Sequence, residues 1–239
     1  LVNYISTLGW PEDDASFTSS WGTESVSNGI QVAGKDNLRQ QSAMWQAMLL
    51  AADLPMSKQI FIHGFFTVDG QKMSKSVGNV INPIELSQTY GADALRSFML
   101  GGVAPAEDSD FALARFEEYY TAHLVNGVGN LTSRIVTMIE KYAQSTVPAS
   151  VPCTIGFDAQ LFWSQYERAM ESFQFDAAVA QIDELVALLD GVITKEKPWE
   201  QAKAGKDISV LLYNLAECLR HLACAALPII PGAAEKILS

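Results

Sequence analysis

Lys72 and Lys75 stand three residues apart in the run Asp69-Gly70-Gln71-Lys72-Met73-Ser74-Lys75-Ser76-Val77-Gly78-Asn79. Two ammonium groups, two hydroxyls and two glycines within eleven residues make a short polar loop suited to a polyanion. The ammonium groups supply compact charge, and the hydroxyls and backbone N–H groups supply donors. A flexible backbone can follow a polyphosphate whose charge changes during a reaction, which a fixed helix or strand could not do. A Lys-x-x-Lys spacing alone is equally at home in a solvated surface turn, so the elements around it must decide.

Residues 29–34 read as a short strand closing on Gly34. Residues 35–52 read as a helix, with Leu38, Ser42, Trp45, Leu49 and Ala52 recurring at three- and four-residue steps and Asp36 or Asn37 as its cap. Residues 59–65 read as a second strand, rich in β-branched and aromatic side chains. Strand, helix and strand at this spacing form a βαβ unit, hence a piece of parallel sheet covered by helices. Such sheets bind ligands beyond the C-terminal ends of their strands. Gly34 and His63-Gly64 fall at those two ends, and the lysine loop follows the second. Gly34-Lys35-Asp36 would present backbone N–H groups and an acid to a polar ligand, for example a ribose hydroxyl; a plain helix cap fits as well. His63 is either a group beside that ligand or a hydrogen-bonded structural histidine.

The remainder reads as mostly helical. Tyr4, Ile5 and Leu8 suggest a short helix ending near Gly9, and residues 10–28 look like loop. Asn82-Pro83 opens a helix with Asn82 as cap and Pro83 in the first position. Gly91 interrupts it, and residues 101–109 form a linker. Asp110 is expected to cap one long helix over 111–142, with a stripe of Phe116, Tyr119 or Tyr120, Leu124, Val128, Leu131, Ile135 and Met138. A loop over 143–156 and helices near 158–172, 175–193, 207–227 and 230–238 complete an antiparallel bundle. In it Asn126 and Asn130 sit four apart on one helical face, with Arg134 one step further. Asparagine is a poor helix former, and each side chain carries a donor and an acceptor that can read an unpaired base edge or join two helices. Trp199, in a loop after Lys197-Pro198, can stack an extruded base or plug a core. Glu117-Glu118, Asp183-Glu184 and Glu200 look like solvated helix faces.

Composition sets the outer bounds. A chain of 239 residues, 49% hydrophobic and 18% charged, has room for one or two globular domains. The net charge of −11 is the wrong sign for a general nucleic-acid binder, so any RNA contact must come from a local face. Cys153, Cys218 and Cys224 show no Cys-x-x-Cys spacing and read as reduced, buried thiols of a cytoplasmic protein, with no zinc site. No apolar run is long enough to span a bilayer, and no membrane partner is expected. The opening Leu1-Val2-Asn3-Tyr4, with neither a starting Met nor a signal peptide, is expected to be the middle of a longer protein.

Lys72-Met73-Ser74-Lys75-Ser76 resembles the signature loop of class I aminoacyl-tRNA synthetases, and its surroundings resemble methionyl-tRNA synthetases in particular: the Gly34-Lys35-Asp36 segment, His63-Gly64 before the loop, Asn126-x-x-x-Asn130-Leu131, and Lys195-x-Lys197-Pro198-Trp199. The resemblance implies an α/β plus all-α architecture. Residues 1–82 would be the C-terminal half of a Rossmann-like catalytic domain, 83–109 a connecting element and 110–239 an α-helical anticodon-binding bundle. It implies a methionine–tRNA ligase acting in the cytoplasm on methionine, ATP with Mg²⁺, and methionine tRNA. Lys72 and Lys75 would be catalytic. Gly34, Asp36, His63, Met73, Ser74 and Ser76 would join them around ATP, and Asn126, Asn130, Arg134 and Trp199 would read the anticodon. Tyr4 matches a tyrosine lining the methionine pocket. The family usually follows its Gly-Lys-Asp segment with an apolar residue and, four positions on, a histidine; Asn37 and Gln41 stand there in this chain and so line the implied pocket. Nothing here matches the His-Ile-Gly-His-like motif of the class, so the chain alone is expected not to form adenylate. Three alternatives stay open: a sister synthetase of the valine, isoleucine or leucine type, a non-catalytic tRNA-binding module, and a helical protein-interaction domain.

Overall fold

The computed structural model describes residues 1–68, 70–72 and 81–239, with Lys72 as backbone only. The chain divides into two compact units, Leu1–Phe66 with Ala106–Ser109, and Thr67–Pro105 with Asp110–Ser239.

The first unit contains helices α1 (Asn3–Ser6) and α2 (Asp14–Trp21), strand β1 (Ile30–Gly34), helix α3 (Trp45–Ala51) and strand β2 (Gln59–His63). β1 and β2 pair in parallel, in register from Ile30↔Gln59 to Gly34↔His63. The expected strands and their crossover are therefore present. The crossover is not one regular helix: a 3-10 turn (Lys35–Asn37) and a π turn (Gln40–Met44) precede α3. The wider π turn shifts the buried face to Gln41, Trp45 and Leu49, and leaves Leu38 49% exposed instead of in the expected stripe. α2 replaces an expected loop. Asp13 caps it by accepting from the Ser16 N–H at 3.0 Å, and Phe17 and Trp21, four apart, both turn inward. They join Ile5, Trp45 and Leu49 in a small core, where the Trp21 indole donates to the Pro55 carbonyl at 2.8 Å.

In the chain that follows, β3 (Phe66–Val68), β4 (Gln71–Lys72) and β5 (Ser109–Phe111) form a sheet of order β4-β3-β5. Asp110 does not cap a helix. It lies in β5, where its carboxylate accepts from the Thr67 hydroxyl at 2.6 Å and the Gly70 N–H at 2.7 Å. Those two bonds hold its pKa below the usual carboxylate range.

Helix α4 (Pro83–Tyr90) starts as expected, with the Asn82 side chain accepting from the Ile84 N–H at 3.0 Å. α5 (Ala92–Gly101) follows across Gly91. The single long helix expected over 111–142 is three pieces: α6 (Leu113–Tyr119), a π segment (Tyr120–Gly129) and α7 (Asn130–Tyr142). Gly127 breaks the helical dihedrals at φ −85°, ψ −106°. The chain then runs through α8 (Ala159–Glu171), α9 (Phe175–Glu196), α10 (Pro198–Lys203), α11 (Ser209–Ala226) and α12 (Pro231–Leu238). α10 was not foreseen, and Trp199 stands in its first turn rather than in a loop.

α9 is the hub of this unit, packing against α5, α7, α8 and α11. Its inward stripe of Ala178, Ile182, Leu185, Leu189 and Ile193 is buried and meets Leu131 and Ile135 of α7 and Leu212, Leu215 and Leu222 of α11 in one core. The Asp93 carboxylate accepts from the Gly232 and Ala233 N–H groups, and the Arg96 guanidinium donates to the Pro228 and Ile229 carbonyls, tying α5 to the start of α12. Of the cysteines, Cys218 is buried and burial pushes its thiol up to about 12; Cys153 is exposed, contrary to expectation.

Leu189→Ala empties a fully buried position at the centre of this core and is expected to cost ~2–5 kcal/mol. Leu113→Ala, at a 48% exposed position, is expected to stay within about 0.5 kcal/mol. Urea denaturation of the two variants checks the contrast.

Candidate functional site

Two clusters of the singled-out residues emerge, one in each unit. In the first unit, pairing Gly34 with His63 brings both strand ends to one level. His63 Nδ1 lies 2.8 Å from the Gly64 carbonyl, so the ring donates there and its neutral form keeps Nε2 as an acceptor. The ring faces Gly34: a Cβ built on that glycine would come within 3.5 Å of His63 Cε1 and 2.9 Å of Asp36 Oδ1. Glycine at 34 thus keeps a gap between the imidazole and the Asp36 carboxylate. Gly64 is required for another reason, since a Cβ there would meet the Glu107 carbonyl at 1.8 Å. The returning segment brings Asp108, whose carboxylate accepts from the Phe65 N–H at 2.7 Å and pairs with the Lys35 ammonium at 2.7 Å. Lys35 first, and then the Phe65 amide, hold the Asp108 carboxyl below the usual range.

On the same unit, Gln41 Nε2 donates to the Tyr4 hydroxyl at 3.1 Å, and the Tyr4 ring meets Trp45 edge-on at 5.6 Å. The three residues expected to line an amino-acid pocket separate here. Tyr4 and Gln41 touch, while Asn37 turns to Asp36 and donates to its Oδ1 at 3.2 Å. Gln41 Oε1 and Trp45 Nε1 are buried without a partner among the described residues. Lys72 belongs to β4, with its backbone opposite Thr67. Met73, Ser74, Lys75 and Ser76 lie outside the described residues.

In the second unit, Asn126 and Asn130 are both exposed, but they are not successive positions of one regular helix. Asn126 belongs to the π segment, Asn130 opens α7, and the Gly127 break falls between them. Arg134, one turn after Asn130, is about one-third exposed and forms an ion pair with Asp190 of α9 through Nη1 and Oδ1. α10 packs against α7. The turn that delivers it has Lys197 in the left-handed region (φ 45°, ψ 62°), where the Lys197 N–H closes α9 on the Ile193 carbonyl and Pro198 begins the next helix. Pro198 is buried while Trp199 remains 37% exposed. Asn130, Arg134 and Trp199 therefore stand on two helices in contact.

Sequence reasoning missed two participants. Asp190 is one of five acids in α9 and is not singled out by its immediate neighbours. Asp183 reads as a solvated acid in the sequence, yet it pairs with His123 at 2.8 Å, and burial raises its pKa although His123 opposes the shift. An acid seven residues from another on one helix marks a common face, and that spacing could have flagged both. Among the described residues, no group of three potential ligands could hold a metal ion, and no helix is long and apolar enough to cross a membrane.

A family profile described as tRNA synthetases class I (M) matches residues 1–136, and the chain belongs to that family. Over 245 residues it is 34% identical to the methionine–tRNA ligase of Thermotoga maritima, covering 99% of this chain and 38% of that protein. It is 36% identical over 247 residues to the methionine–tRNA ligase of Caldanaerobacter subterraneus subsp. tengcongensis, with the same coverage of 99% and 38%. Against the Rickettsia prowazekii enzyme it is 33% identical, covering 100% of this chain and 48% of that one. A solved structure of Mycobacterium tuberculosis methionyl-tRNA synthetase in complex with methionyl-adenylate superposes with a TM-score of 0.84 at 27% identity, over 99% of this chain and 48% of that one. The chain thus spans 38% to 48% of the length of these relatives.

The sheet edge makes a pH-dependent prediction. Because the folded state lowers the pKa of Asp108, the carboxylate stabilises the fold above the pH at which a free aspartate titrates, and this contribution fades as pH falls through the lowered value. Asp108→Asn is expected to lower the thermal midpoint at neutral pH, with the difference shrinking below about pH 4. Thermal unfolding of both forms across that range measures it.

Proposed function

We propose that this chain carries part of a methionine–tRNA ligase: a portion of the catalytic domain that activates methionine with ATP, and the helices that recognise the anticodon of methionine tRNA. The observation that carries this reading is the similarity to methionine–tRNA ligases over 99% of the chain, through both clusters. In domain terms, residues 1–82 belong to the nucleotide-binding domain, 83–109 connect, and 110–239 bind the anticodon, in the cytoplasm where translation runs.

In the first step the methionine carboxylate attacks the α-phosphorus of ATP, forming methionyl-adenylate and releasing pyrophosphate. The terminal ribose of the tRNA then takes the methionyl group. Gly34, Asp36 and His63 border the nucleotide. The gap between Asp36 and His63 accommodates a ribose edge, with Asp36 accepting from a hydroxyl. His63 is oriented by its Nδ1 contact with the Gly64 carbonyl, which leaves Nε2 for the ligand. Lys72 and Lys75, with Met73, Ser74 and Ser76, form the loop that stabilises charge developing on the phosphates; Mg²⁺ accompanies ATP as part of the substrate complex. Tyr4, Gln41 and Asn37 line the methionine side of the site. The Gln41–Tyr4 hydrogen bond occupies the position where the family usually places a histidine.

On the helical unit, Asn126, Asn130 and Arg134 offer donors and acceptors to unpaired base edges, and Trp199 offers a stacking face. Such contacts are compatible with an acidic chain, because stacking and edge recognition do not depend on a broad positive field.

Binding of the chain to methionine tRNA at one stated salt concentration, against the same tRNA with a single anticodon base changed, tests this function. A loss of ~1–3 kcal/mol on the base change, and a similar loss for Trp199→Ala, are the expected results. Equal binding to both tRNAs would direct the assignment to a sister synthetase with a different anticodon.

A further inference from the structure

Arg134 offers the proposed anticodon face its only cation held in place by another helix among the described ion pairs of that face. Its guanidinium has five N–H donors in a planar fork, and the contact with Asp190 engages it through a single nitrogen, Nη1. The rest of the fork remains for a ligand. Both side chains are about one-third exposed, so the pair lies at the rim of the packed core. The supports are rigid: Asp190 sits on α9 one position after fully buried Leu189, and Arg134 sits on α7 one position before fully buried Ile135.

We propose that Asp190 is a positioning residue that turns Arg134 from a general phosphate-attracting charge into a reader of base identity. The inference rests on the anticodon reading above and adds a residue to it. Two physical effects combine. The carboxylate fixes the plane and rotation of the guanidinium, and a fork must be fixed to discriminate acceptor pairs on a base edge. It also cancels the charge that would otherwise draw any phosphate backbone to the site regardless of sequence. A chain with a net charge of −11 gains little from non-specific RNA attraction, so the value of this arginine lies in selectivity.

The test measures affinities of the wild-type chain, Asp190→Asn, Asp190→Glu and Arg134→Lys for methionine tRNA and its single-base anticodon variant, across a salt series. Thermal unfolding of each variant is recorded alongside. Asp190→Asn is expected to bind both RNAs with a salt slope steeper by about one unit, while the ratio between them falls about tenfold. Asp190→Glu is expected to recover part of the ratio. Arg134→Lys, which keeps the charge and loses the fork, is expected to lose the ratio with its thermal midpoint retained. A wild-type chain that does not distinguish the two RNAs would remove the anticodon reading and this inference with it. A wild-type chain that does distinguish them, with an unchanged ratio in Asp190→Asn or Arg134→Lys, would overturn the inference alone.

Discussion

The second unit depends on the burial of one face of α9. Ala178, Ile182, Leu185, Leu189 and Ile193 occupy a single stripe over about four turns, and four other helices close on it. Each large aliphatic in that stripe contributes ~1.5–3 kcal/mol through removal from water, which leaves the helix no freedom to rotate. Everything α9 presents outside the stripe is placed by this constraint. Asp183 meets His123 and Asp190 meets Arg134, in the same order along both helices. At its C-terminus the left-handed Lys197 turns the chain so that Pro198 is buried and Trp199 is left partly open.

Both clusters contain a π turn. Gln41 lies in the one at Gln40–Met44 and Asn126 in the one at Tyr120–Gly129. A π turn costs regular hydrogen bonding and changes the angular step between side chains. In the first unit it turns an amide inward, and Gln46 answers the irregularity by donating to the Gln41 carbonyl at 3.0 Å and to Ser57 Oγ at 3.0 Å. In the second it separates the angular settings of Asn126 and Asn130. In both places a polar residue of the cluster sits where the helix departs from α geometry.

Legibility in the sequence followed the same division. The parallel β1–β2 pair, the Asn82 cap, the break at Gly91 and most of the bundle were readable because periodicity and capping chemistry are local. The stripe through Phe116, Val128, Leu131, Ile135 and Met138 was correct in its buried members even though the helix carrying it is broken. α2 was hidden by its serines, since the burial of Phe17 and Trp21 outweighs weak propensity. Asp110 was misassigned because a helix cap and a strand side chain that accepts from a turn amide look alike without the partner segment. The pairing of Arg134 and His123 with their acids could not be read, since a contact across about sixty residues depends on packing; only the shared face of Asp183 and Asp190 leaves a local mark. Of the site, Gly34, His63, Tyr4, Gln41 and Trp199 were legible as types in a pattern, whereas their hydrogen bonds belong to tertiary structure.

The central claim is that the face formed by α7 and α10 receives the anticodon loop. The most direct measurement is photo-cross-linking of the full chain to methionine tRNA carrying a 4-thiouridine in the anticodon loop, with the attachment site located by mass spectrometry. The account predicts cross-links in peptides containing Asn126 to Arg134 and Trp199, competed by unmodified tRNA. Cross-links confined to other helices, with the α7 and α10 peptides unmodified, would contradict it.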